Sequence, residues 1–205
     1  MRANKTLFLI LMAVVILLGI VATGGYAAAI DDPILAAFAL QKGQSPDWLI
    51  QAAQWLSWTG GGIQRYILVA LLGLLIGWWR GLHVGLGLIG SSLFSSILST
   101  LFKMAFERPR PSLVPHLDTV HDFSYTSGHC ASAMVVYLYI ALVAPSEQRL
   151  FWMIPLILLA IGTGMTRMML GVHYPSDLVG GWILGAAFAI AAAQMVSDRH
   201  NTKVR

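Results

Sequence analysis

The stretch TRMMLGVHYPSD, Thr166 to Asp177, sets an arginine, a histidine and an aspartate within twelve residues between two apolar runs. Two further polar clusters precede it: KMAFERPRP, from Lys103 to Pro111, and YTSGH, from Tyr125 to His129. Together they offer Lys103, Arg108, Arg110 and Arg167 as fixed cations beside His129, His173 and Asp177. Such a set suits an oxyanion. Arginine presents a planar fork of donors that matches phosphate, and lysine adds a point charge. Ser127 and Gly128 at a helix start add backbone N–H groups and the positive end of a helix dipole, and Gly128 lets the backbone come close. Two histidines divide the work of a hydrolysis, one attacking phosphorus and the other protonating the leaving oxygen. The Tyr174-Pro175 pair disfavours helix at 174, so a helix is expected to start at about Pro175. His173 then lies just before it, with Asp177 in its first turn. A carboxylate on one ring nitrogen fixes the tautomer and stabilises the imidazolium formed during attack. His129 has no carboxylate nearby in sequence and is the better candidate for the general acid, because a bound phosphate favours its protonated form.

The elements that must position these groups are apolar. Of 205 residues, 57% are hydrophobic and 11% charged, with mean hydropathy +0.72. A soluble domain carries about a quarter charged residues, so an all-α integral membrane protein is expected, a single domain over 1–205. The net charge of +4 is spread out, which argues against nucleic-acid binding. Cys130 is the only cysteine, so no intrachain disulfide can form; it reads as a small packing residue. Six apolar stretches, roughly 6–28, 63–79, 82–102, 128–144, 150–166 and 178–196, predict a six-span bundle. The second and fourth are short unless they begin near Gly60, with Arg65 snorkelling, and at Ser127-Gly128. The first reads as an uncleaved span rather than a signal peptide: YAAA resembles a cleavage site, but the run is longer than a typical apolar core of about 7–15 residues. Residues 30–58 predict one or two helices lying at the membrane interface. Trp48, Trp55 and Trp58 there are either a headgroup-level belt or ordinary packing aromatics.

Sidedness follows by counting crossings. With the N-terminus inside, one face receives Arg2, Lys5, Arg80, Arg149, Arg199, Lys203 and Arg205 against Glu147 and Asp198. The other receives six basic and seven acidic residues. The positive-inside rule then puts both termini in the cytoplasm and the three polar clusters outside, on the periplasmic face of an inner (plasma) membrane. The clusters share that face provided only that the fourth and fifth spans are real.

These clusters resemble the motifs of the type 2 phosphatidic-acid phosphatase family, which shares them with vanadium haloperoxidases. Lys103, six residues and Arg110-Pro111 match the first motif; Thr126-Ser127-Gly128-His129 matches the second; Thr166-Arg167, His173 and Asp177 match the third. The motifs span about 75 residues within a core of about 82–197. Two residues depart from the pattern. Thr126 stands for proline, removing a fixed φ, and Thr166 for serine, keeping a hydroxyl. The resemblance implies a lipid phosphatase in which His173 forms a phosphohistidine and Asp177 supports it. His129 acts as acid and then as base, and Lys103, Arg110, Ser127, Gly128 and Arg167 hold the phosphate. It implies no metal and no cofactor. The phosphate of phosphatidylglycerophosphate, phosphatidate or undecaprenyl diphosphate fits such a cluster, and a phosphohistidine can also pass its group to an alcohol. Three other readings weigh less. A zinc site built from His116, His121, His129, His173 and Asp177 has no recognised ligand spacing. A transporter would show two similar halves, which are not seen. A scaffold would not need His173. Arg108 has no family role and is expected in a headgroup or salt-bridge contact. His116, Asp118, His121 and Asp122 are expected to be loop or substrate-entry residues.

Overall fold

Glycine and proline punctuate the chain, and the helices fall between them. The computed structural model describes residues 5–203, with side chains through 197. Its helices are α1 (Lys5–Thr23), α2 (Ala28–Phe38), α3 (Asp47–Gly60), α4 (Gly62–Arg80), α5 (Leu82–Phe106), α6 (Gly128–Val143), α7 (Ser146–Met169) and α8 (Pro175–Lys203). Every regular element among the described residues is helical. Pro46, Pro145 and Pro175 mark the starts of α3, α7 and α8, where a fixed φ and a missing N–H do no harm. Gly81 separates α4 from α5 at φ +105°, a conformation that side-chain-bearing residues rarely adopt.

Five helices are long and apolar enough to cross a membrane: α1, α4, α5, α7 and the Pro175–Ser197 part of α8. The expected fourth span is α6, which is apolar but has only 16 residues. It lies at the centre and packs on α5, α7 and α8, with Ala131 to Val136 buried without a break. Around it the outward faces are greasy: Leu9 and Leu17 of α1, Leu71 and Leu74 of α4, Phe94 of α5 and Leu158 of α7 are all exposed. A surface of this kind is stable only against lipid, and the protein is a multi-pass membrane protein.

The expected boundaries shift in places for identifiable reasons. The first stretch ends at Thr23 rather than 28, because Gly24-Gly25 turns the chain, with Gly25 at φ +80°. Residues 30–58 resolve into two helices, α2 and α3, parted by the non-helical segment 39–46. The α5 helix runs past 102 to Phe106, so Lys103 rides on its last turn. Trp48, Trp55 and Trp58 are exposed, and the rings of Trp55 and Trp58 meet edge to face with centroids 6.3 Å apart. Of the charges used for sidedness, Arg2, Arg205 and the side chains of Asp198, Arg199 and Lys203 lie outside the described residues.

Close helix contact depends on missing side chains. On α8, a Cβ at Gly181 would meet Cβ of Cys130 at 2.8 Å, and one at Gly185 would meet Cβ of Met134 at 2.8 Å. Small residues four apart let membrane helices approach without a hydrophobic driving force between them. That contact sets α8, and with it Asp177, against the start of α6.

Candidate active site

Four chain segments converge at the end of the bundle where α5 and α7 finish and α6 and α8 begin. They surround a cavity of about 560 Å³ lined by Lys103, Arg110, Gly128, His129, Arg167 and His173. Thus six of the eight expected site residues face one space. The other two lie directly behind it: Ser127 precedes the first residue of α6, and Asp177 occupies the first turn of α8. A backbone hydrogen bond from the Ser127 N–H to the Asp177 carbonyl, 3.1 Å, ties the second cluster to the third.

His173 is almost fully buried and has two different faces. Its Nε2 lies 3.0 Å from Nη1 of Arg110, at the cavity. Its Nδ1 lies 3.4 Å from both Oδ2 of Asp177 and Oγ of Ser124. Burial and the neighbouring Arg110, Lys103 and Arg167 push the His173 pKa well below its ordinary value. The shift favours the neutral ring, and because the Arg110 guanidinium can only donate, Nε2 is the acceptor facing the cations: the state a nucleophile needs. Across the cavity the ring of His129 makes no hydrogen bond among the described residues. Gly61, at the end of α3, is pressed against it so closely that a side chain there would collide with Nε2.

Asp177 is held more tightly by other groups than by His173. It accepts from Nη1 of Arg108 at 2.5 Å, from Ser124 Oγ at 2.5 Å and from the Tyr174 N–H at 2.9 Å. The second nitrogen of Arg108 reaches Oδ2 of Asp31, on α2, at 2.7 Å. Asp31 also accepts from the Ser176 N–H at 2.9 Å and its hydroxyl at 2.5 Å. The Arg108 guanidinium stacks over Tyr174, 4.3 Å from the ring centroid. Burial alone would lower the Arg108 pKa, but the flanking Asp177 and Asp31 raise it overall. Of the two contacts expected for Arg108, the structure shows the salt bridge. Asp31 and Ser124 had no mark in the sequence. An acidic residue in an apolar chain, next to Asp32 and Pro33, is the only signal that could have flagged Asp31.

The cations expected to hold an anion are paired from within the chain. Asp122 pairs with Lys103 at 3.0 Å and with Arg110, and Asp118 pairs with Arg167. Lys103 also donates to the Phe123 carbonyl at 2.6 Å, and Arg167 to Ser57 Oγ at 2.5 Å. Burial opposes ionisation of Asp122, yet Lys103 and Arg110 together hold its pKa below the usual value. Burial also lowers the pKa of Arg110. Asp118 and Asp122 are the loop residues expected near substrate entry, and here they sit on the cations. Meanwhile Nε of Arg167 and Oγ of Ser127 are buried without any partner. Unsatisfied buried donors are costly, and Arg167, which lines the cavity, has one to offer an anion there.

The two departures from the motif pattern have local explanations. Thr126 is fully buried, and its hydroxyl hydrogen-bonds Oγ of Ser99 on α5 at 3.0 Å, anchoring the loop that proline would have stiffened. Thr166 donates to the Thr163 carbonyl at 2.7 Å within α7. Gly171, at φ +75°, makes the turn after α7, and a Cβ there would press on the Pro115 carbonyl oxygen at 2.7 Å. Among the described residues no three histidine, cysteine, aspartate or glutamate side chains converge as metal ligands.

Comparison with known proteins gives a consistent picture. The PAP2 superfamily model matches residues 80–201, which hold all three clusters. The lipid A 1-phosphatase of Rhizobium johnstonii is 33% identical over 125 residues, 54% of this chain and 47% of that protein. The undecaprenyl-diphosphatase of Sulfolobus acidocaldarius is 26% identical over 141 residues, 65% of this chain and 66% of that protein. The chain matches about half the length of the lipid A phosphatases it resembles. The crystal structure of a transmembrane PAP2-type phosphatidylglycerolphosphate phosphatase from Bacillus subtilis superimposes with TM-score 0.79 at 27% identity, covering 97% of this chain and 98% of that one.

Proposed function

The chain belongs to the PAP2 superfamily, and from that membership we propose that it is a membrane lipid phosphatase cleaving a phosphomonoester or diphosphate. The observation that carries the reading is the buried His173, whose Nε2 opens on a cavity of cations while Asp177 backs its Nδ1. In the first step Nε2 attacks phosphorus, the phosphorus–oxygen bond to the lipid breaks, and His129 gives its proton to the departing oxygen. Positive charge that builds on His173 is stabilised through Nδ1 by Asp177, which Arg108 and Ser124 hold in place. In the second step His129 takes a proton from water, the hydroxide attacks phosphorus, the Nε2–phosphorus bond breaks with its electron pair returning to His173, and inorganic phosphate leaves. Lys103, Arg110, Arg167, Ser127 and the Gly128 N–H stabilise the charge on the transferring group throughout. No metal or cofactor takes part.

The same proposal gives the membrane arrangement. The whole chain is one domain with six crossings, of which α6 is the short one; surrounded by other helices, it need not match the bilayer by itself. Helices α2 and α3 lie at the interface, with the exposed tryptophans at headgroup level. Both termini are cytoplasmic, and the site opens to the outer face of the plasma membrane. A substrate then arrives laterally with its headgroup in water. Phosphatidylglycerophosphate, phosphatidate and undecaprenyl diphosphate are the candidate lipids; related proteins are named for the first and the third.

The test is phosphate release by the purified protein in detergent, with EDTA present and the three lipids offered in parallel. Turnover of at least one lipid is expected, and loss of about 10³-fold or more in His173→Asn at unchanged thermal stability. Full activity of that variant, or activity that requires a divalent metal, refutes the mechanism.

A further inference from the structure

We infer that Arg65, beside Gln64 in the first turn of α4, forms a second anion subsite on the His129 side of the cavity, which receives a charged group beyond the bond that breaks. The inference rests on the phosphatase reading for which bond that is, but the subsite itself is a matter of geometry.

Arg65 lies in a helix otherwise suited to lipid, where an arginine is costly unless it serves a purpose. Snorkelling would account for it if the side chain reached out to headgroups. It lines the cavity instead. A methyl group on Gly128 would sit 3.4 Å from Nη1 of Arg65 and 3.7 Å from Ser99 Oγ, so the guanidinium stands at the N-terminus of α6 next to His129. Its charge is also the uncommitted one. Among the described residues, Lys103, Arg110 and Arg167 each pair with a loop carboxylate, whereas Arg65 has no acidic partner. Its contacts are a hydrogen bond to the Tyr66 hydroxyl at 2.6 Å and stacking on that ring. Its Nε is buried and unsatisfied.

The side on which it lies gives it meaning. Arg110 is the cation in hydrogen-bond contact with His173, whereas Arg65 stands beside Gly128, one residue before His129. In an in-line displacement the leaving oxygen departs opposite the nucleophile, toward the acid. As the Nε2–phosphorus bond forms, the electron pair of the breaking bond stays on that oxygen, which takes the proton of His129. If the oxygen belongs to an alcohol, nothing charged remains near Arg65. If it belongs to a second phosphoryl group, as in a diphosphate, that group's remaining negative charge lies within reach of Arg65 and is stabilised as it leaves. Arg65 would then be a specificity residue favouring diphosphate over monophosphate on the same lipid tail.

Two measurements test this. The first compares kcat/KM for a short polyprenyl diphosphate and the matching monophosphate in wild type, Arg65→Gln and Arg65→Lys. A charge-assisted contact implies a loss of about 10–100-fold for the diphosphate in Arg65→Gln, with less than about threefold for the monophosphate and partial recovery in Arg65→Lys. Equal losses on both substrates, or no loss on either, overturn the subsite. The second needs no turnover: the thermal stabilisation of each protein by inorganic pyrophosphate and by inorganic phosphate. Arg65→Gln should lose the excess stabilisation by pyrophosphate and keep that by phosphate; a uniform change, or none, overturns the inference. If neither lipid is hydrolysed by wild type, the phosphatase reading fails, and the pyrophosphate measurement still decides the subsite.

Discussion

Replacing Arg108 by alanine should be among the most damaging single changes outside the cavity. The guanidinium lies between Asp31 and Asp177, which are 1% and 0% exposed. Asp31 would keep the Ser176 N–H and hydroxyl, and Asp177 would keep Ser124 and the Tyr174 N–H. Those bonds satisfy lone pairs but do not neutralise charge: two buried carboxylates would share a site with no cation between them. Removing one partner of a buried ion pair costs about 3–5 kcal/mol. For a chain of this size that corresponds to a fall of roughly 6–20 °C in melting temperature. The assay is thermal unfolding in one detergent followed by tryptophan fluorescence, with phosphate release measured on the same samples. Activity should fall further than stability explains, because Asp177 would no longer be fixed behind His173. A second change separates charge from shape. In Arg108→Met with Asp31→Asn the net charge of the cluster returns to its original value, so a coupling of about 1–3 kcal/mol of recovered stability is expected. Recovery of stability without recovery of rate would assign Arg108 to positioning Asp177. Wild-type stability and rate in Arg108→Ala would refute a closed, dry network.

Four further outcomes are expected. His129→Gln should lose about 10²–10⁴-fold in kcat with a good leaving group affected less than a poor one; equal losses would remove it as the acid. Asp122→Asn should free Lys103 and Arg110 for phosphate and tighten inhibition by inorganic phosphate by about three- to tenfold, a small effect because Asp122 is largely exposed and screened; weaker inhibition would contradict the competition. Because His173 has a folded pKa below its unfolded one, the unfolded chain takes up the proton first as pH falls. Stability should therefore drop below pH about 6.5, by up to about 1.4 kcal/mol per pH unit until the folded ring protonates, and His173→Asn should have a shallower acid limb; identical limbs would show that the ring is not held neutral. Gly181→Leu should separate α8 from α6 and destabilise by about 1–3 kcal/mol or more; an unperturbed melting curve would mean the two helices do not touch there.

What the sequence could reveal divides along a physical line. The three polar clusters were legible because chemistry requires given residue types at given spacings, and a charge in an apolar chain stands out. The start of α8 at Pro175, with Asp177 in its first turn, followed from backbone sterics alone. The partners of those groups were not legible. Asp31 and Arg108 are separated by three whole helices and the rest of α2, and only the packing of α2 on α7 and α8 brings them together. Arg65 looked like a snorkelling residue, because hydropathy tells that a side chain is polar but not which way it points. The short α6 was hard to read for a related reason: a helix enclosed by others need not match the bilayer thickness, so its length carries little signal.

The loop carboxylates occupy the cations that an anionic substrate would need. Lys103, Arg110, Arg167 and Arg65 face it together with Asp118 and Asp122, leaving two positive charges in excess. Four unpaired cations at the edge of a low-dielectric bundle would repel one another. Asp118 and Asp122 relieve that repulsion, and both stay partly exposed to water. An arriving phosphate dianion balances the excess and can displace the carboxylates, which are then solvated rather than stranded. The exchange makes binding weaker than four free cations would allow, and by the same amount it weakens retention of the inorganic phosphate product. An enzyme that must release a dianion from a nest of arginines gains from that competition. Removing Asp118 and Asp122 together should therefore lower the KM for substrate while slowing turnover through product release, and a double variant with lower KM and unchanged or faster turnover would show that the loop plays no such part.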